Sequence, residues 1–194
     1  MESGQSYHIY NHANGSENIF REEDNYRYFL QQYEKYLGGV VDTYAYCLMP
    51  NHFHFLVGVK SDLSGFQNLT GLIKHPSKNP AIKAFSDFFN SYTKAYNLKY
   101  DRKGSLFMRA FQRQPILNES QWQQTFLYIH LNPIKHGFSK DYRVWKYSSW
   151  QSYQRREFPS KLNRVYYLNY FDSLEQVESS MEIKKEWLIN KNLE

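Results

Sequence analysis

The chain opens on a two-residue alternation. Across residues 7–15, YHIYNHANG, apolar and polar side chains exchange places until a turn signal stops them, which predicts a strand. In REEDNYRYFLQQYEKYLGG, residues 21–39, the period lengthens. Phe29, Tyr33, Tyr36 and Leu37 fall at helical spacing, acidic residues fill the first turn and glycine closes the run, so this segment predicts an amphipathic helix. VVDTYAYCLM (40–49) and HFHFLVGVK (52–60) read as two strands joined by the turn dipeptide Pro50-Asn51, a hairpin. Residues 61–80 are polar and broken by Pro76 and Pro80, which predicts a short helical turn and then an exposed loop. Phe85, Phe88, Phe89, Tyr92 and Tyr96 mark a second helix over 81–100, and GSLFMRAFQRQPIL (104–117) reads as a fourth strand with a basic outer face. Residues 120–138 open on Ser-x-x-Gln, a capping-box pattern, and form a third helix interrupted near Asn132-Pro133. DSLEQVESSMEIKKEWL is a last helical pattern, capped around Asp172 and Glu175.

Strand, helix, hairpin, helix, strand, helix is the order of an α+β fold. It predicts a ferredoxin-like antiparallel sheet with helices packed on one face, the other face free for a ligand, and a C-terminal helical extension over 154–194.

Composition narrows the class. One cysteine, Cys47, excludes an internal disulfide and a multi-cysteine zinc site. The N-terminus lacks a signal-peptide pattern and no run is long enough to span a membrane, so the chain is expected to be soluble and cytoplasmic with no membrane partner. Charge is unevenly placed. Residues 1–98 carry 8 basic and 9 acidic side chains, residues 99–164 carry 13 and 4, and residues 165–194 carry 3 and 6. A basic block between acidic ends favours a polyanion partner over a merely solvated face.

The candidate chemistry lies in two segments. In HFHFLVGV, Phe53, Phe55, Val57 and Val59 share one face of the strand and His52, His54 and Leu56 the other, so two imidazoles stand side by side and can share one divalent metal. In the third helix, Gln121, Thr125, Tyr128, Asn132 and Lys135 make one polar stripe beside an apolar stripe of Trp122, Phe126 and Ile129. Tyr128 therefore projects from the polar side, with Asn132 one turn on. A tyrosine hydroxyl can attack phosphorus and hold the bond as a phosphotyrosine, and an amide oxygen beside it can complete the metal site. His130 points away from Asn132 and is the weaker ligand candidate.

MPNHFHFLV, followed by FLYIHLNPIKHGF and DYRVWKYSSW, resembles the HUH single-tyrosine transposases, most closely the REP-associated, insertion-sequence-200-like branch. The opening segment 7–30 and GSLFMRAFQRQPI resemble that family too, so the resemblance spans residues 7–153. It implies a ferredoxin-like catalytic domain over 1–153 acting on single-stranded DNA at hairpins, as a monomer or homodimer. It implies Mg²⁺ or Mn²⁺ held by His52, His54 and Asn132, and Tyr128 as nucleophile. Asn11-His12 stands where the family is expected to have Asn-Arg, and KHPSKNP (74–80) reads as an insertion.

The expected reaction is cleavage and rejoining of a DNA strand through a 5′-phosphotyrosine intermediate. No general base is evident; a metal-bound hydroxide and Lys135, on the same stripe, are the candidates. Phosphate-positioning residues are expected in the basic block: Arg102, Lys103, Arg109, Arg113, Lys135, Lys140, Arg143 and Lys146. Two alternatives stand beside this reading: a hairpin-binding protein without the chemistry, and a zinc hydrolase, whose further His or Asp ligands are not clearly placed.

Overall fold

The computed structural model describes residues 1–62, 79–108 and 110–191. The chain folds as β1 (Ser6–His12), α1 (Glu23–Leu37), β2 (Val41–Met49), β3 (His52–Val59), α2 (Pro80–Lys99), β4 (Gln112–Pro115), α3 (Glu119–Lys135), α4 (Trp150–Gln154) and α5 (Leu174–Lys191). The expected turn and loop of 61–80 lie mostly outside the described residues, as does most of KHPSKNP.

The strands form an antiparallel sheet in the order β2-β3-β1-β4. With α1 joining β1 to β2 and α2 preceding β4, this is the expected ferredoxin-like α+β arrangement. Local chemistry starts and stops the helices. Glu22 and Asn25 make reciprocal cap bonds ahead of α1, and Asn79 caps α2 with Pro80 at its first position. Phe29, Tyr33 and Leu37 of α1 and Phe85, Phe88, Phe89, Tyr92 and Tyr96 of α2 are buried with Phe53, Phe55, Val57 and Val59.

The second face of the sheet is not free. A separate core of Ala45, Cys47, Met49 and Leu56 against Trp122, Phe126 and Ile129 of α3 covers it, joined by Trp150, Tyr167, Phe171, Val177 and Met181. His52 and His54 are consequently buried rather than exposed. A bulge between Thr43 and Ala45 interrupts the alternation within β2, so that the consecutive residues Tyr44 and Ala45 both enter the second core.

Four features differ from those expected. The fourth strand shortens to Gln112–Pro115, because Leu106 and Phe107 both enter the first core, which consecutive residues of a regular strand cannot do. The cap of α3 is Asn118, accepting from the Gln121 amide while the Gln121 side chain accepts from Leu117 N, so the box begins two residues before Ser120. α3 then runs unbroken through Pro133, which lies in its last turn, where the missing N–H costs a single helical bond. In α5 it is Ser173 that accepts from Gln176 N.

Gly58 of β3 lies under the Tyr44 ring. A Cβ there would collide with the Tyr44 hydroxyl and come within 2.9 Å of Cζ. Tyr44 is buried and stacks on Tyr166 at 4.1 Å, so it cannot swing away freely. Gly58→Ala is expected to cost about 1–3 kcal/mol by overpacking, read as a lower midpoint in urea at unchanged slope.

Candidate active site

Register brings the histidines together. Tyr10 of β1 pairs with His54 and His12 with His52, so His8, Tyr10, His12, His52 and His54 share one sheet face. His8 reaches diagonally, its Nε2 3.0 Å from His54 Nδ1. His52 Nδ1 lies 2.7 Å from Asn51 Oδ1. With Nδ1 of both rings held, the Nε2 atoms of His52 and His54 are buried and have no hydrogen-bond partner among the described residues. Asn132 repeats the pattern on α3: its Nδ2 donates to the Tyr128 carbonyl at 2.8 Å, and its Oδ1 is buried without a partner among the described residues. Buried lone pairs left unsatisfied are costly and call for a ligand.

This donor set fits a divalent cation. Each imidazole is oriented through its second nitrogen: Asn51 Oδ1 can only accept, so His52 Nδ1 donates and Nε2 keeps its lone pair, and His54 does the same in the tautomer whose Nδ1 donates to His8 Nε2. Among the described residues no three His, Cys, Asp or Glu side chains group as a metal site, so a site built on these two imidazoles would draw on a donor of another kind, such as the buried amide oxygen of Asn132.

Burial holds the rings neutral. It lowers the His8 pKa to about 4, and lowers His52 to about 3 with help from His136, His12 and Lys135. His54 falls well below its ordinary value, through burial first and then the neighbouring histidines. His130 is different in kind. Its ring nitrogens meet the Phe126 carbonyl at 3.0 Å and Ser149 Oγ at 2.8 Å inside the second core, so it is a packing residue, with a pKa near 3 from burial.

Folded values below the unfolded one mean that these histidines stabilise the fold when neutral. That contribution is complete above about pH 6.5 and is lost as pH falls toward 4 and 3. Each such ring is expected to cost about 1.4 kcal/mol per pH unit below 6.5 until its folded value is reached. Urea titrations in EDTA at pH 7 and pH 5 check this: stability should fall by several kcal/mol, and a flat profile would contradict it.

Tyr128 sits beside this cluster in the same chain. Its half-buried ring stands edge-on to His54 at 5.4 Å and to His8 at 6.0 Å. Lys135 Nζ lies 3.3 Å from its hydroxyl and 4.7 Å from the ring centre. These groups open into a cleft of ≈ 610 Å³ whose walls include Gln114, Gln121, Thr125, His136 and Lys184. The polar stripe Gln121, Thr125, Tyr128 and Lys135 thus lines one wall as its spacing predicted, while Asn132 is buried beneath it.

The basic block divides. Among the described candidates only Lys135 borders the cleft. Arg102 is a correction: its guanidinium is held by Glu17, Asn97 and the carbonyls of Gly104 and Ser105, with a side chain 13% exposed, so it fixes a loop. Arg113 pairs opposite Ile9 and so lies on the α1/α2 side, its guanidinium over Phe111 at 5.8 Å. Arg143 ties α5 through Glu182, and Lys146 meets Glu23 at 2.5 Å. Lys103 and Lys140 are exposed, and Arg109 lies outside the described residues.

Sequence reasoning missed His8, His136, Gln114 and Lys184. The alternation of YHIY put His8 on the face opposite Ile9, a usable signal; Lys184 depends on how α5 docks and left none.

No family model matches the chain. A Haemophilus influenzae protein named "Putative REP-associated tyrosine transposase" is 25% identical over 108 residues, 56% of this chain and 58% of that protein. The chain therefore spans somewhat over half the length of that curated relative. A solved structure of a REP-associated tyrosine transposase bound to a REP hairpin superposes with a TM-score of 0.59 at 18% identity, covering 83% of this chain and 85% of that one. Among the described residues no helix is long and apolar enough to cross a membrane. The chain is thus similar in sequence, over somewhat more than half its length, to a protein of that name, and it shares the fold of a solved REP-associated tyrosine transposase.

Proposed function

We propose that the protein is a DNA strand nuclease and transferase that cleaves single-stranded DNA beside a hairpin and stores the break as a 5′-phosphotyrosine at Tyr128. The observation that carries this reading is the set of orphaned donors, His52 Nε2, His54 Nε2 and Asn132 Oδ1, together with His54 lining the same cleft as the half-buried Tyr128, whose ring lies 5.4 Å from it. Hairpin DNA as substrate draws support from the solved relative, which is bound to one.

His52, His54 and Asn132 would hold Mg²⁺ or Mn²⁺. When bound, the cation supplies Lewis-acid polarisation of a phosphate oxygen. Tyr128 Oη forms the new bond to phosphorus, the P–O3′ bond breaks, and its electron pair stays on O3′, which takes a proton from water as the phenol gives one up. Lys135 donates toward Oη at 3.3 Å and so stabilises the charge that develops there. His8 keeps the His54 ring oriented from behind. Attack by another DNA 3′-hydroxyl on the phosphotyrosine reverses the step and rejoins the strand at a new place.

The test is direct. Wild-type protein is incubated with a labelled hairpin carrying single-stranded flanks and Mn²⁺, denatured, digested and analysed by mass spectrometry. A nucleotide adduct on the peptide holding residue 128, absent in EDTA, supports the proposal. Hairpin retention with no adduct favours the binding-only alternative. An adduct on another residue overturns the assignment.

A further inference from the structure

The cleft does not end at Lys184. Beyond it a groove of ≈ 710 Å³ continues between α3 and α5, with Gln123, Gln124 and Leu127 on one wall and Ser180, Ile183 and Trp187 on the other. Gln124 and Lys184 border both spaces. Residues 176, 180, 183, 184 and 187 follow helical spacing and form one stripe of α5, adjacent to the buried Val177 and Met181. The bond from Arg143 to Glu182, on the other side of the helix, holds this roll.

The lining matches unpaired nucleotides. Trp187 is 56% exposed and offers an indole face, and aromatic faces stack on any unpaired base. Gln123 Nε2 donates to the Tyr170 carbonyl, and Gln124 Oε1 and Gln176 Oε1 accept from Lys184 Nζ and Asp172 N, so each amide lines the groove in a fixed orientation with a second polar atom left for a base edge. At the seam, Lys184 Nζ donates to Gln124 Oε1 at 2.5 Å, and its ammonium is disfavoured by burial and by the charge of Lys135. Two ammoniums facing one opening are relieved by an anion between them.

We infer that this groove carries the single-stranded nucleotides flanking the scissile phosphate, with Lys184 holding the first phosphate outside the cleft and Trp187 stacking on an unpaired base. The inference rests on the DNA reading above, but it concerns binding and not the chemical step.

The experiment compares a blunt hairpin with the same hairpin bearing a short unpaired tail at either end, by fluorescence anisotropy. Wild type should prefer a tailed hairpin. Trp187→Ala should weaken tailed binding roughly tenfold while leaving blunt binding unchanged, Lys184→Ala should weaken tailed binding more than blunt binding, and Trp187→Phe should retain the preference. Lys184→Ala should also reduce the slope of log affinity against log salt by about one. Neither side chain is in a core, and circular dichroism checks that both variants fold. No tail preference, or equal losses on both DNAs, overturns the groove. Tail preference without a covalent adduct keeps the groove and removes the proposed chemistry; no binding of either DNA removes both.

Discussion

Tyr128→Phe should bind tailed hairpin DNA as wild type does, to within about twofold, and form no covalent adduct. The ring keeps its edge-on packing against His54 and His8, so the cleft keeps its shape. Only the hydroxyl is lost, and with it the acceptor of the Lys135 hydrogen bond. A partly solvated bond of that kind is worth about 1 kcal/mol, so folding stability should change little. Turnover is another matter: a missing nucleophile is not replaced by its neighbours, and losses of about 10⁴-fold or more are ordinary. Single-turnover cleavage with Mn²⁺, alongside anisotropy, separates the two quantities. An adduct persisting in this variant would place the nucleophile on another of the 18 tyrosines. A parallel loss of binding would make Tyr128 a DNA contact instead.

Much of the fold and of the candidate site could be read before any coordinates, because both rest on short-range periods. Two-residue alternation placed His52 and His54 on one face, and helical spacing placed Tyr128 on the polar side of α3 with Trp122, Phe126 and Ile129 facing inward. What was misread is what lies on top of the sheet. Ala45, Cys47, Met49 and Leu56 interleave with the first-core residues to make nearly continuous apolar runs, the pattern of strands buried on both sides, yet the alternation alone suggested an open face. Charge counting failed for a related reason. It cannot tell Arg102, bound to Glu17 and to carbonyls within its own loop, from Lys135, which borders the cleft. Lys184 illustrates the opposite limit: an acidic tail hid a cation that only the docking of α5 brings to the cleft.

The two cores on opposite faces of the sheet should separate in their effect on function. Trp122→Ala removes a side chain 1% exposed that stacks on Phe126 at 5.2 Å and Tyr170 at 4.2 Å, tying α3 to the C-terminal segment. Phe88→Ala removes a fully buried ring of the first core, packed against Phe29 and Phe89 at 4.8 Å each. Both changes should cost about 3–5 kcal/mol of stability. Trp122→Ala should fall at the low end, because its indole N–H is buried without a hydrogen-bond partner among the described residues and its removal relieves that cost. Kinetics should then divide them. Trp122 lies on the helix that carries Tyr128 and Asn132, and a shift of about 1 Å in a reacting group costs about 100-fold in rate. Phe88 supports the sheet from the side away from the cleft. Adduct formation per folded molecule should therefore drop at least about tenfold in Trp122→Ala and stay near wild type in Phe88→Ala. Equal slowing in both variants would show that the sheet as a whole, rather than the seating of α3 on it, sets the geometry of the reacting groups.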